Sequence, residues 1–152
     1  MLRARKLLQS FRCAARGIVS VIRAERNIRI HLSVLCYVLF FAWFGQVPAF
    51  QIPILFLCFG LVLAAELFNS AIERICDRFH PEYDRSIRAI KDIASGAVLI
   101  AAVMAALAGL WIFCAPSVLL PVVHRLFVQP LSLVALVLSL IPVFLFCHGK
   151  IF

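Results

Sequence analysis

The chain has 152 residues, of which 64% are hydrophobic and 14% are charged, and its mean hydropathy is +1.06. This composition excludes an ordinary soluble globular domain and indicates an integral membrane protein with one domain of a few spanning helices. The net charge of +8 comes from cations that flank apolar segments. We therefore expect an anionic phospholipid bilayer as the partner of these cations, and no binding to nucleic acid.

The first 29 residues are basic and predict an amphipathic helix on the membrane surface. Apolar side chains recur at steps of three and four residues from Leu7 to Ile22, and arginines occupy the other side. A helix with one apolar and one strongly basic face lies in the membrane interface. We therefore expect residues 1–29 to rest on the lipid surface.

Four apolar runs follow this helix and predict the membrane spans, at about residues 30–48, 52–72, 93–114 and 130–147. The fourth run is of marginal length, which leaves a re-entrant or interfacial segment as the alternative. The sequence thus predicts an all-α integral membrane protein with a surface helix, three core spans and a fourth, C-terminal span. Residues 1–115 form the expected functional domain, and residues 116–152 form an extension.

Lysine and arginine are distributed unevenly between the segments that flank these runs. Eight basic residues precede the first span, five lie between the second and the third, and none lies between the first and the second. Positive charge is typically retained on the cytoplasmic side of a membrane. We therefore expect a multi-pass protein whose amino terminus, 74–91 segment and carboxyl terminus are cytoplasmic.

The end of the second run carries a polar face inside an apolar helix. At about 100° per residue, Glu66, Asn69, Glu73 and Asp77 fall within an arc of about 80°. An ionisable side chain at this depth costs at least about 2.5–3.5 kcal/mol, which favours a functional site over a structural one. The alternative for Glu66 alone is a carboxylate that pairs with a neighbouring helix.

Three carboxylates on one face repel each other, and a hard divalent cation is the simplest way to keep them ionised. Mg²⁺ with a nucleotide fits this requirement. Lys91 and Asp92 begin the third run, where the lysine can contact phosphate and the aspartate can accept a hydrogen bond. The alternative is a snorkelling lysine beside a helix-capping aspartate. Glu25, taken alone, is typical of an ion-paired surface residue.

Glycine-rich phosphate loops are absent, so phosphate chemistry must depend on carboxylates, basic side chains and metal. The two polar segments resemble the signature of the prokaryotic diacylglycerol kinase family, and the resemblance extends over about residues 5–115. Its motifs are Glu66-x-x-Asn69-Ser70-Ala71-Ile72-Glu73-x-x-x-Asp77 and Ala89-x-Lys91-Asp92-x-Ala94-x-Gly96-Ala97. An upstream segment resembles the undecaprenol kinase branch: Glu25-Arg26-Asn27-x-Arg29-x-His31.

This resemblance implies a homotrimeric kinase of the bacterial inner membrane, with composite active sites at the cytoplasmic surface. It places the catalytic base on Glu66 and the metal-binding carboxylates on Glu25 and Glu73. The implied substrate-binding residues are Glu66, Asn69 and Ser95. The implied nucleotide-binding residues are Lys6, Glu25, Glu73, Asp77, Glu82, Tyr83, Asp84, Lys91 and Asp92.

The chain departs from the family pattern in two places. Asp84 stands where a histidine is frequent, and the extension after Pro116 has no counterpart in typical members.

The function that the resemblance implies is ATP- and Mg²⁺-dependent phosphorylation of the hydroxyl of a membrane lipid alcohol, undecaprenol or diacylglycerol. One alternative is a small transporter or proton-coupled subunit that uses the same carboxylate face. It predicts a second polar face on another span, and the first and fourth runs carry no acidic or basic residue. A scaffold protein, the other alternative, leaves the aligned carboxylates unexplained.

Overall fold

The computed structural model describes residues 2–80, 82 and 84–149, with side chains for residues 5–80, 82, 84–129 and 134–149. Every regular element in this part of the chain is helical, which confirms the predicted all-α class. The elements are α1 (Leu2–Ala24), α2 (Arg26–Phe44), a 3₁₀ turn (Ala49–Gln51), α3 (Ile52–Phe79), α4 (Arg85–Phe113), α5 (Pro116–Val128) and α6 (Pro130–His148).

Among the described residues, three helices are long and apolar enough to cross a membrane: α2, α3 with its 3₁₀ turn, and α4. Helix α5 and the described part of α6 are apolar but shorter. A fourth span at residues 130–147 therefore stays a prediction, although a helix does form there.

Helices α3 and α4 form the most extensive helix pair of the fold. Both helices extend beyond the apolar runs predicted from the sequence. Their exposed turns are held by backbone hydrogen bonds and do not require apolar side chains. Helix α3 runs to Phe79, so the face from Glu66 to Asp77 lies on one continuous helix. Helix α4 begins at Arg85, seven residues before Asp92. The alternative of Asp92 as a helix cap was therefore wrong, and Asp84 is the N-cap.

The apolar core lies at the end of the bundle that we call the distal end, opposite the charged residues of the α3–α4 connection. Its buried side chains are Ala42, Val47, Leu55, Ile112 and Val118. Val118 belongs to α5, so the extension contributes to the core of the bundle.

Gly45, between α2 and the 3₁₀ turn, permits the close approach of α5. A Cβ atom at this position would lie 2.8 Å from Val122 Cγ2 and 2.9 Å from Val118 Cγ1.

Helix α6 runs antiparallel to α2 and returns from the distal end to the charged end. At the distal end, Arg125 of α5 donates to the Phe44 carbonyl (2.7 Å). Further along, Tyr37 of α2 and Ser139 of α6 share a hydrogen bond (2.9 Å). Toward the charged end, Arg29 donates to the Cys147 carbonyl (3.3 Å).

Candidate active site

A cavity of about 260 Å³ lies between α2, α3 and α4 toward the charged end of the bundle. Helix α3 places Glu66 and Asn69 in its wall, and α4 contributes Ser95. These are the three residues predicted to bind the lipid, and the fold brings them together in one space. The remaining lining comes from Asn27 and His31 on α2 and from the apolar side chains Ile30, Val98, Leu99 and Ala102.

Glu66 is the most deeply buried carboxylate of the described residues, at 2% exposure. Its Oε1 lies 3.4 Å from Nε2 of His31 on the neighbouring helix α2. The charges of Glu25 and Glu73 also act on Glu66, so the three carboxylates belong to one electrostatic cluster. The bundle thus places a carboxylate that is shielded from water beside a histidine and two further acids.

Asn69 joins the cavity to the outer part of the polar face. Its Nδ2 donates a hydrogen bond of 2.9 Å to Glu73 Oε1, one turn further along α3. Its Oδ1 is buried and has no hydrogen-bond partner among the described residues. Buried polar atoms are nearly always paired, so an orphaned acceptor in a cavity wall is suited to a donor group of a ligand.

Asp77 and Lys91 link the charged ends of α3 and α4. The Lys91 Nζ donates to Asp77 Oδ1, which fixes the ammonium above the same face of α3. Asp92 is exposed and does not join this contact. Its Oδ2 lies 4.0 Å from Nε of Arg88, one turn earlier in α4. An exposed pair of this kind contributes little to stability. The structure therefore brings Lys91 and Asp77 together and leaves Asp92 accessible.

The connection between α3 and α4 carries the remaining predicted nucleotide contacts. Glu82 is exposed in a bend, and Tyr83 lies outside the described residues. Asp84 caps α4 by accepting hydrogen bonds from the backbone amides of Ser86 (2.6 Å) and Ile87 (3.0 Å). These amides hold the pKa of the Asp84 carboxyl below its usual range. The residue that replaces a frequent histidine thus has a local structural contact of its own.

Glu25 and Lys6 occupy very different positions relative to this cluster. Glu25 is the partly exposed residue at the break between α1 and α2, and its side chain makes no capping hydrogen bond. Lys6 is exposed on α1, about 28 Å along the helix axis from Glu25. The fold of one chain therefore brings Glu25 near Glu66 but leaves Lys6 apart.

Glu25 and Glu73 are the residues that could hold a magnesium ion bound together with a nucleotide. No group of three or more histidine, cysteine, aspartate or glutamate side chains with metal-binding geometry occurs in the described part of the chain. Glu25 and Glu73 offer two carboxylates of the same cluster. Mg²⁺ typically takes one or two protein carboxylates and completes its octahedron with water and phosphate oxygens.

Sequence reasoning did not assign roles to His31, Asn27 and Arg29. His31 and Asn27 are one helical turn apart on α2 and line the cavity. Arg29 is buried at 6% exposure and donates to the Ile22, Arg23 and Cys147 carbonyls. A signal was present in the spacing: Asn27 and His31 are four residues apart on one face of α2, and Arg29, Ser33 and Tyr37 follow at steps of four on another, which marks polar helix faces that need partners.

Comparisons with known proteins identify the family of the chain. The family model described as prokaryotic diacylglycerol kinase matches residues 12–113, a segment that includes the whole cavity and excludes Lys6. A Bacillus subtilis protein named undecaprenol kinase is 35% identical over 108 residues, which cover 71% of this chain and 88% of that protein. A Synechocystis protein named diacylglycerol kinase is 36% identical over 107 residues, which cover 70% of this chain and 61% of that protein. No solved structure matches the chain. The chain belongs to the prokaryotic diacylglycerol kinase family.

Proposed function

We propose that the chain transfers the γ-phosphate of ATP, bound with Mg²⁺, to the hydroxyl of a membrane lipid alcohol, with Glu66 as the general base. Family membership makes it a lipid kinase, and the two named relatives phosphorylate undecaprenol and diacylglycerol by their names. The observation that carries the proposal is the cavity that unites Glu66, Asn69 and Ser95.

The cavity suits the hydroxyl end of a lipid. Its apolar side chains, Val98 and Leu99 among them, can pack against the hydrocarbon adjacent to the hydroxyl. At the polar end, Asn69 Oδ1, which has no partner among the described residues, and the Ser95 oxygen, whose own proton is donated to the Asp92 carbonyl (3.1 Å), are hydrogen-bond acceptors. A lipid alcohol that enters from the bilayer would therefore present its hydroxyl to Glu66.

Phosphoryl transfer requires a nucleophile in line with the γ-phosphorus and a base for its proton. As the lipid oxygen forms its bond to phosphorus, its proton passes to the Glu66 carboxylate. The bond between the γ-phosphorus and the bridging oxygen breaks, and ADP leaves with that electron pair. The lipid phosphate retains the former hydroxyl oxygen, so no other reactant is needed.

The nucleotide side of the site would use the charged ends of α3 and α4. Glu25 and Glu73 would hold Mg²⁺, which would neutralise the phosphate charge that develops during transfer. Lys91, positioned by Asp77, would contact the phosphates from α4. Asp77, Glu82, Tyr83, Asp84 and Asp92 stay proposed nucleotide contacts.

Assembly and location complete the proposal. We place the nucleotide side in the bacterial cytoplasm at the inner membrane, on the strength of the lysine and arginine distribution. We also propose a homotrimer, in which a composite site would give Lys6 of one subunit access to a site on another. Within a single chain, Lys6 stays far from the carboxylate cluster.

The direct test is phosphorylation by the purified protein. Full-length protein in detergent micelles is incubated with γ-labelled ATP, Mg²⁺ and either undecaprenol or diacylglycerol. We expect labelled lipid phosphate with at least one of the two alcohols. Folded protein that labels neither lipid would contradict the proposed function.

The transporter alternative requires a second polar face on another span. The polar side chains on α2 that face α6 are engaged, since Ser33 donates to the Arg29 carbonyl (2.8 Å) and Tyr37 pairs with Ser139. Both hydroxyl groups are therefore paired, Ser33 within α2 and Tyr37 across to α6, and they do not form a second polar face.

A further inference from the structure

His31 lies next to Glu66, the proposed base. Among the described residues, it is the basic side chain that contacts Glu66, with 3.4 Å between His31 Nε2 and Glu66 Oε1. The two residues belong to different helices, α2 and α3, and both line the same cavity. His31 on α2 therefore contacts, within the proposed lipid cavity, the carboxylate that would accept the proton of the lipid hydroxyl.

A carboxylate in this environment needs a hydrogen-bond donor. Glu66 is 2% exposed, and an ionised group removed from water is costly unless it is paired. Two other carboxylates, Glu25 and Glu73, add repulsion to that cost. Without a donor, the side chain would be driven toward its neutral form, which cannot accept a proton from a lipid hydroxyl.

The nearby cations are engaged elsewhere. Arg29 donates through both Nη atoms to backbone carbonyls of α1 and α6. Lys91 donates to Asp77. Arg74 donates to Ser20 on α1. This distribution leaves the imidazole as the group that stabilises the Glu66 carboxylate.

We propose that His31 is a positioning residue for phosphoryl transfer: it donates a hydrogen bond from Nε2 to Oε1 of Glu66 and turns the second carboxylate oxygen toward the cavity. This inference rests on the proposed function. During transfer the proton of the lipid hydroxyl moves to Glu66, and His31 keeps its own proton throughout. Its role is to hold the acceptor oxygen in line with the lipid hydroxyl in the cavity.

The length of the side chain at position 31 provides the test. Glutamine carries its amide nitrogen about as far from the backbone as Nε2 of histidine, whereas asparagine is one methylene shorter. Leucine has no donor. We therefore compare His31→Gln, His31→Asn and His31→Leu in the full-length protein, with His124→Leu on the exposed surface of α5 as the matched control.

We expect His31→Leu to lower kcat by about 10- to 100-fold, the change that loss of one hydrogen bond to a charged group produces. The KM for Mg-ATP should stay close to the wild-type value, because His31 lies on the lipid side of the cluster. His31→Gln should restore most of the activity, His31→Asn should not, and His124→Leu should match the wild type. A defect of the helix packing alone would not depend on the reach of a donor.

Each alternative result has a definite meaning. A folded His31→Leu protein with wild-type kcat would overturn the role of His31, and so would equal activity of the glutamine and asparagine variants. If His31→Leu fails to assemble, the comparison of glutamine with asparagine decides the question. A wild-type protein that phosphorylates no lipid would overturn the proposed function itself, which distinguishes that failure from the failure of this inference.

Discussion

Helices α2, α3 and α4, called the core from here on as distinct from the apolar core at the distal end, differ from the extension of α5 and α6 in how their polar groups are paired. In the core, Asn69 Oδ1 is buried with no partner among the described residues and lies in a cavity wall next to Glu66. In the extension, Arg125 and Ser139 each hydrogen bond to α2. Satisfied polar groups stabilise a helix interface, whereas an unpaired acceptor in a cavity is available to a ligand. This difference supports the proposal that the core binds the lipid and that the extension stabilises the bundle.

Arg29 lies at the boundary between these two regions. Its Nη atoms donate to the end of α1 and to the Cys147 carbonyl at the end of α6, although its Nε has no partner among the described residues. The same arginine therefore secures the segment that leads to Glu25 and the last turn of the extension. The extension is attached near the site without adding a carboxylate to it.

The largest effect should follow from removal of the proposed base. Glu66→Gln keeps the size of the side chain but cannot accept the hydroxyl proton, so we expect kcat to fall by about 10²- to 10⁴-fold. Nucleotide binding, measured by equilibrium titration with Mg-ATP, should stay near the wild-type value. Turnover of the variant at a wild-type rate would remove Glu66 from the role of base.

A smaller effect is expected from the proposed metal ligands. Glu73→Ala and Glu25→Ala each remove one hard oxygen, and we expect the Mg²⁺ concentration for half-maximal activity to rise by at least about tenfold. Glu73→Ala also frees Asn69 Nδ2, which is a second reason for a loss of activity. Arg74→Ala, a change at the adjacent residue whose contact is to Ser20, serves as the control. Unchanged Mg²⁺ titrations in both glutamate variants would exclude them from the metal site.

A substitution at the contact between α2 and α5 should lower stability without changing the rate of catalysis. Gly45→Ala places a methyl group against Val122 and Val118, and such overpacking costs about 1–3 kcal/mol. We expect a lower melting temperature with kcat unchanged. Gly60→Ala is the matched control, since no atom lies within 4 Å of its added Cβ and alanine favours the helix. A Gly45→Ala protein with wild-type stability would show that α5 does not pack as described.

The smallest effect concerns the cap of α4. Asp84→Ala removes the acceptor for the Ser86 and Ile87 amides, whereas Asp84→Asn retains a capping oxygen. We expect a modest fall in melting temperature for alanine and a smaller one for asparagine. The pKa of Asp84 is lowered in the folded state, so its contribution is present above the usual aspartate pKa. The difference between wild type and Asp84→Ala should therefore shrink as pH falls through the lowered pKa, and an equal difference at acidic pH would contradict this origin.

Sequence periodicity was sufficient to predict the helical class and the polar face of α3, but it was insufficient to predict the contacts within the site. The helical class was predictable because the apolar runs are long, and the α3 face was predictable because Glu66, Asn69, Glu73 and Asp77 share one side of a helix. Pairing of Glu66 with a neighbouring helix was the alternative considered from the sequence. Its partner, His31, was not predictable, since the residues are far apart in sequence and meet only when α2 packs on α3.

Boundaries and caps were the other parts that the sequence left open. The predicted surface helix of residues 1–29 ends at Ala24, because the backbone at Glu25 is extended and a new helix begins at Arg26. Helix α5 was not expected, since its 13 residues begin with Pro116, contain Pro121 and form a segment too short to span a membrane. Its packing on Gly45 depends on tertiary contacts that no local pattern specifies.

The most direct test of the division between core and extension is lipid phosphorylation by a chain that ends at Ala115. Residues 1–115 hold every carboxylate side chain of the protein, so we expect the truncated protein to transfer γ-labelled phosphate from Mg-ATP to undecaprenol or diacylglycerol with a kcat of the same order as the full-length protein. Loss of Val118 from the apolar core should lower its melting temperature. A truncated protein that folds and assembles but transfers no phosphate to either lipid would contradict the assignment of the chemistry to the core.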